Sequence, residues 1–394
     1  MADQGDEWAS PSGQGAGGSG PADQRSTASE PPRYGVRVPG WEPPTAPAPT
    51  PAANPVPTAG YRPPPKPGLI PLHPLSFGQL LGTSFAVLRW NPRATIVPAL
   101  IINVLQSAIS LGVVGGIGFS AVDRISRATD ADRGAIIAGT VAEGALGGLL
   151  LLAVSVFGGA ILQGMLVLIV AEGALGRRPR AGEVLRRARK SIWPLTGFAA
   201  LLAVLEILAV VVLVLLVVGV ASAGVVGVIL AILIGLVGGL GFAAGAAFLV
   251  VKLATVPSAI VLERLGIGAA VARSWVLLRG AFWRTFGLFV LLIVIVYAAT
   301  QLVSLPFSFV GGAIGGLLYP NAGSDAASAV PGVLLSALPA AIVSAVVGGI
   351  GQVAQVSAFV LVYLDRRMRR EGLDLELQRV VEQDGPDPFG PGAR

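Results

Sequence analysis

The sequence predicts an all-α membrane protein: six transmembrane helices and three interfacial amphipathic helices arranged as a pseudo-threefold repeat. Three observations lead there. The 394 residues are 53% hydrophobic and 13% charged, with a mean hydropathy of +0.74, whereas about a quarter of the residues in an ordinary soluble domain are charged. Apolar stretches longer than the ~18 residues that mark a bilayer-spanning helix recur along the chain. Strongly basic connections alternate with neutral ones, and the same basic amphipathic segment returns three times.

The elements follow in order. Residues 1–67, from "MADQGDEWASPSGQGAGGSG" to "YRPPPKPG", are rich in Pro, Gly, Ala and Ser. Too little apolar surface is present to offset chain entropy, so a disordered cytoplasmic tail with polyproline character is expected. It has no basic segment leading into an apolar core, so the first span is expected to act as the targeting signal. "PPRYG" and "YRPPPKP" have the form of Pro-rich ligands for aromatic grooves, with a solvated spacer as the simpler alternative. A six-helix membrane domain is expected over 68–370, and a short cytoplasmic tail over 371–394.

Spans are read at 93–118, 139–171, 193–220, 225–262, 285–310 and 332–364. The even-numbered ones exceed the ~20 residues that a bilayer core needs, so they must tilt, break near Pro257, or continue as helix beyond the hydrocarbon. Orientation comes from the connections. "GRRPRAGEVLRRARKS", "ERLGIGAAVARSWVLLRGAFWR" and "DRRMRR" are arginine-rich, whereas "DRISRATDADR" is balanced, "VASAGVV" is uncharged and "YPNAGSDAASAV" holds only Asp325. Lys and Arg retained on the cytoplasmic side of a plasma membrane place both termini inside.

The repeated segment reads "FGQLLGTSFAVLRWNP", "AGEVLRRARKSIWP" and "IGAAVARSWVLLRGAFW", aligned on Gly78, Gly182 and Gly268 with Leu81, Leu185 and Val271 three residues on. In the third copy Ile267, Ala270, Val271, Ser274, Trp275, Leu278 and Phe282 follow the spacing of one helical face. A helix of this kind lies flat at an interface, with arginines toward anionic headgroups and aromatics at headgroup depth. The lipid-contact candidates are therefore Arg89, Arg186, Arg187, Arg273, Arg279, Arg284, Trp275 and Trp283. Glu172, Glu263 and Asp365 each close an even-numbered span beside basic sequence.

The lead-in "PGLIPLHPLSFGQLLGTSFAVLRWNP", the stretch "VPSAIVLERLGIGAAVARSWVLLRGAFWRTFG" and the exit "LVYLDRRMRREGLDLELQ" resemble actinobacterial proteins carrying the glycerophosphoryl diester phosphodiesterase membrane-domain type of module. The resemblance covers about residues 68 to 380. It implies a membrane module that in some relatives is fused to a soluble phosphodiesterase domain and in many stands alone. The family name is not an activity, because that hydrolysis requires a metal held by carboxylates and paired histidines, and the chain has one histidine, His73.

Other chemistries are excluded by inventory. With no cysteine, disulfides, zinc thiolates and cysteine nucleophiles are impossible. The lysines Lys66, Lys190 and Lys252 lack a phosphate-loop context. A Ser/His/Asp site would have to use His73 in a Pro-rich context. No metal or other cofactor is expected. Nucleic acid is not an expected partner either, since the formal charge of +6 gathers beside apolar spans, where topology explains it.

Glu206 in "LLAVLEILAVV" and Lys252 in "FLVVKLATV" are the candidate buried polar pair. Counted at about 1.5 Å per residue they lie ~20 Å beyond Trp193 and ~16 Å beyond Glu263, similar depths on neighbouring antiparallel helices. A structural ion pair and a polar site in a substrate or proton path are the two readings, the second drawing on Asn103, Gln106, Gln163, Gln301, Gln352 and Gln355. The expected function is a non-catalytic module of the cell envelope that contacts membrane lipids, above all anionic headgroups, or assembles with envelope protein partners. A small-molecule or lipid transporter is the second reading and a membrane-embedded enzyme the third.

Overall fold

The computed structural model describes residues 68–127, 129, 132–320, 326–383 and 389. The expected tail over 1–67 lies outside the described residues. Ten helices account for the regular structure among those described: α1 (Phe77–Trp90), α2 (Pro92–Arg127), α3 (Arg133–Ala174), α4 (Ala181–Ala221), α5 (Gly224–Leu253), α6 (Val256–Leu262), α7 (Ile267–Leu277), α8 (Phe282–Leu318), α9 (Ala326–Glu371) and α10 (Leu373–Gln383).

Six segments are long and apolar enough to cross a membrane: Pro92–Ile125, Gly134–Ala174, Ala181–Ala221, Gly224–Leu262, Phe282–Leu318 and Val330–Glu371. They match the six expected spans and extend most of them by several residues. The fourth breaks near Pro257, one of the three ways open to a span of that length. The proline ring clashes with a continuing helix but fits the first turn of a new one, and α6 starts with Pro257 in that turn. Around the bundle α8 packs on α9, α9 on α2, α2 on α3, α3 on α4 and α4 on α5, with α5 returning to α8 more sparsely.

Of the three amphipathic segments, two form separate helices and one does not. α1 opens with a capping box, in which the Ser76 hydroxyl accepts from the Gln79 N–H and the Gln79 side chain accepts from the Ser76 N–H. It stops at Asn91, which precedes Pro92 and so leaves the helical region. α7 is followed by Gly280 in the left-handed region at φ 72°. The second copy lacks both devices. There α4 runs unbroken through Arg186, Arg187 and Pro194 into the membrane-length span, correcting the expected separate interfacial helix. A proline removes one backbone donor, a loss that long membrane helices tolerate when neighbours satisfy the freed carbonyl.

Packing is concentrated at the end of the bundle that carries α1, α7 and α10, which we call the basic end. The main core joins Leu80 and Val87 of α1, Val167 and Val170 of α3, Leu195 of α4, Ile260 of α6, Leu277 of α7, Leu288 and Leu292 of α8, and Leu361 and Tyr363 of α9. Toward the other end the helices carry exposed apolar side chains, for example Ile101, Leu146, Leu215, Val225, Ile229 and Leu317. An apolar exterior is what a lipid solvent permits. The segment after Glu371, expected as a plain tail, contains α10, whose Leu373 and Leu377 are fully buried in the same core. Gln378 fastens it by donating to the Leu72 carbonyl at 3.2 Å.

Among the glycines of the spans, Gly311 and Gly315 of α8 meet Ser336 of α9 closely enough that any Cβ would collide, whereas Gly239, Gly241 and Gly245 face open space. The two groups should therefore respond oppositely to alanine. Gly311→Ala should destabilise the protein by about 1–3 kcal/mol through overpacking. Gly241→Ala should be neutral or stabilising by up to ~1 kcal/mol from helix propensity. Thermal unfolding in detergent checks this, and equal melting of the two variants would contradict the α8–α9 crossing.

Candidate functional site

The basic end is organised by three carboxylates, each at the close of an even-numbered span. Glu172, near the end of α3, accepts from Arg187 of α4 at 2.8 Å and from Arg177 at 3.4 Å. Glu263, which caps α6, accepts from the Nε of Arg273 on α7 at 3.0 Å and from the Tyr363 hydroxyl of α9 at 2.5 Å. Asp365 of α9, only 2% exposed, accepts from the Leu75 N–H at 2.9 Å and from Arg369 Nε at 3.0 Å, with Arg284 at 3.8 Å. Each acid thus holds the segment that begins the next pair of spans, and the last returns to the first.

Arg187 and Arg273 both stand five residues after the aligned glycines, Gly182 and Gly268. Sequence reading noted the acids and the arginines but not that matched offset, which would have paired them. The same segments share a buried face. Leu80, Val184 and Ala270 are buried, as are Ser84, Ala188 and Ser274 one helical turn later. Ser274 donates to the Lys252 carbonyl and accepts from the Thr255 hydroxyl, both at 2.7 Å. In this way α7 is tied to the α5–α6 break.

These contacts divide the lipid-contact candidates. Arg273 also bonds Glu371 at 2.7 Å. Burial opposes its charge, and Glu263 and Glu371 outweigh that, so its pKa lies above the ordinary value. Arg284 donates to the Leu75 carbonyl at 2.6 Å. Arg273 and Arg284 are thus engaged within the protein, correcting the expectation that they face headgroups. Arg187 is exposed but paired to Glu172 and Glu183. Arg89, Arg186 and Arg279 are exposed and, among the described residues, have no carboxylate partner. Trp283 is 78% exposed and Trp275 is 42% exposed.

The buried polar pair is not formed. Glu206 is exposed on α4 and makes no ion pair among the described residues. Lys252 is half-buried, its Nζ 5.1 Å from the centre of the Trp275 ring and 5.8 Å from that of Phe248. The two therefore differ in environment, and the expectation of a shared site fails although residue counts put them at similar depths. Counting residues gives height along a helix and leaves azimuth undetermined. Of the amides, Asn103 donates to Gln352 at 2.8 Å and Gln106 to the Val154 carbonyl at 3.4 Å, joining α2 to α9 and to α3.

A cavity of about 550 Å³ opens where α3, α4 and α6 meet at the basic end. Among the described residues, Arg177, Arg186, Arg187, Lys190 and Arg264 line it together with one carboxylate, that of Glu172. Leu168, Pro194, Ile260, Val261 and Leu265 supply apolar wall, and Phe389 from the C-terminal segment also lines it. Arg264 is the one non-glycine among the described residues in the left-handed region, at φ 53°. Its place at the end of α6 corresponds to Gly176 after α3 and Gly372 after α9, both also left-handed, at φ 77° and 68°. A side chain there costs about 1–2 kcal/mol that glycine avoids. Among the described residues no three His, Asp or Glu side chains come together to hold a metal.

The burial of Asp365 makes it the most sensitive of the three acids. Asp365→Asn leaves Arg369 and Arg284 without their counter-charge and should destabilise the protein by about 3–5 kcal/mol. Glu263→Gln and Arg273→Gln should each cost less, and the double variant should lose less than their sum, with coupling of about 0.5–3 kcal/mol. Unfolding in detergent measures both. Strict additivity of the Glu263 and Arg273 variants would mean that their contact carries no stability.

Compared with family models, curated proteins and solved structures, the chain matches none.

Proposed function

We propose that the chain is a non-catalytic, multi-pass plasma-membrane protein, both termini cytoplasmic, whose basic end engages anionic lipid as a module of the cell envelope. One observation carries the reading. Arg89, Arg186, Arg189, Lys190, Arg264 and Arg279 are all exposed at one end of an apolar bundle, and none has a carboxylate partner among the described residues. Each such charge near an anionic surface contributes about 1 kcal/mol of attraction. The exposed Trp275 and Trp283 at the same end suit headgroup depth. The pseudo-threefold organisation belongs to this proposal. It is supported by the shared buried face of the three segments and by the acids Glu172, Glu263 and Asp365, each holding the next unit. A transport path through Glu206 and Lys252 has no paired site to rest on.

Reconstitution in vesicles tests the lipid reading through quenching of tryptophan fluorescence by brominated lipid. Brominated phosphatidylglycerol should quench more strongly than an equal fraction of brominated phosphatidylcholine, and replacing Arg89, Arg189 and Arg279 by Gln should abolish the preference. Equal quenching by both lipids in the unaltered protein would sink the reading. Orientation is tested separately, since the chain has no cysteine to give background. Ser222→Cys should react with an impermeant thiol reagent in intact cells and Ala269→Cys should not. The reverse pattern would invert the topology.

A further inference from the structure

We propose that the cavity between α3, α4 and α6 is a phosphate-binding site for an amphiphile, with Arg264 as its dedicated ligand. This rests on the lipid-contact reading and narrows it from a charged face to one site. The charge balance comes first. Among the described residues, five cations line the cavity against one carboxylate, and Glu172 is already shared by Arg177 and Arg187. Arg186, Lys190 and Arg264 have no carboxylate partner among the described residues, and their charges converge on the cavity. Guanidinium forks match the oxygens of a phosphate, and an ammonium adds a point charge.

The second observation is independent of charge. The turn after α6 requires a left-handed residue, since the N–H groups of Glu263 and Leu265 both turn back to the Ala259 carbonyl. The corresponding turns after α3 and α9 use Gly176 and Gly372. Only here does an arginine occupy the strained position, and it lines the cavity. A strained conformer retained at the wall of a charged cavity points to binding rather than to folding. The third observation is the wall itself. Ile260, Val261, Leu168 and Pro194 offer apolar surface beside the cations, which suits the carbons attached to a phosphate better than a bare ion.

Strain and binding predict opposite effects of one substitution. In uncharged detergent the full-length protein is melted with phosphatidic acid or phosphatidylcholine added, and with inorganic phosphate against chloride at matched ionic strength. Phosphatidic acid should raise the Tm by several degrees and phosphatidylcholine should not. Arg264→Gly should melt at or above the unaltered protein without lipid, because glycine fits the turn, yet should lose most of the phosphatidic acid shift. Arg186→Gln with Lys190→Gln should lose it as well, whereas Arg89→Gln with Arg279→Gln should retain it. A shift with inorganic phosphate too would mean that the phosphate group suffices, and a shift with the lipid alone would mean that the apolar wall is required. No shift with either phosphate, a full shift in Arg264→Gly, or a lower lipid-free Tm in that variant would overturn the site. Equal losses from Arg89→Gln with Arg279→Gln would overturn the site but leave the charged face standing. Absence of the brominated-lipid preference with an intact phosphate shift would remove the face and leave the site.

Discussion

The carboxylate of Asp365 is held almost out of contact with solvent between the last membrane helix and the chain that leads into the first. A charge so placed is tolerable only if it is met on every side. The Leu75 N–H, the Arg369 guanidinium and, further off, Arg284 meet it. Arg284 and Arg369 also donate to the Leu75 carbonyl, so both polar atoms of that peptide are engaged. Removing any one partner leaves another group buried and unsatisfied. The constraint joins α8, α9 and the start of the membrane domain at one point. Glu172 and Glu263 act in the same way on α4 and α7, with more exposure and a less severe demand.

This arrangement accounts for the uneven packing. At the basic end, carboxylates, arginines and carbonyls must find one another, so the helices converge and their apolar side chains interlock. Away from it fewer polar links draw helices together, among them Glu143 with Ser120 and Arg124, Asn103 with Gln352, and Ser304 with Ser344. The apolar residues there can face lipid at little cost, since hydrocarbon chains solvate them as well as a neighbouring helix does. Gly311 and Gly315 add a close approach there, allowing α8 and α9 to stay in contact well beyond the core. The basic end is thus both the most closely packed part of the bundle and the part that carries the exposed arginines without a carboxylate partner among the described residues.

That overlap explains why arginines of similar sequence context serve different ends. Arg273 and Arg284 are spent on holding helices together, whereas Arg89 and Arg279 project outward from the same kind of segment. Arg264 adds a third role, because its backbone adopts a conformation that its two counterparts reach with glycine. A turn that needs no side chain for its own stability is free to carry one for another purpose.

The sequence by itself determined the six spans and the gathering of arginines at one end, and left a break near Pro257 as one of three ways to fit the fourth span. Each depends on a local quantity: the length of an apolar run, the geometry of one proline ring, the charge of one connection. It also marked Glu172, Glu263 and Asp365, although not the partners they hold. Tertiary structure decided the rest. Whether a basic segment stands apart as a helix or merges with the next span, as α4 does, turned on the presence of an Asn-Pro step or a left-handed glycine at its end. Glu206 and Lys252 do not meet although residue counts give them similar depths, because such a count says nothing of the direction each side chain takes and treats as continuous a span that breaks between α5 and α6. α10 became part of the core because Leu373 and Leu377 found a surface made by residues hundreds of positions away. Which arginines remain free was likewise settled by the carboxylates that folding brought beside them, a matter of distance in space that no spacing along the chain contains.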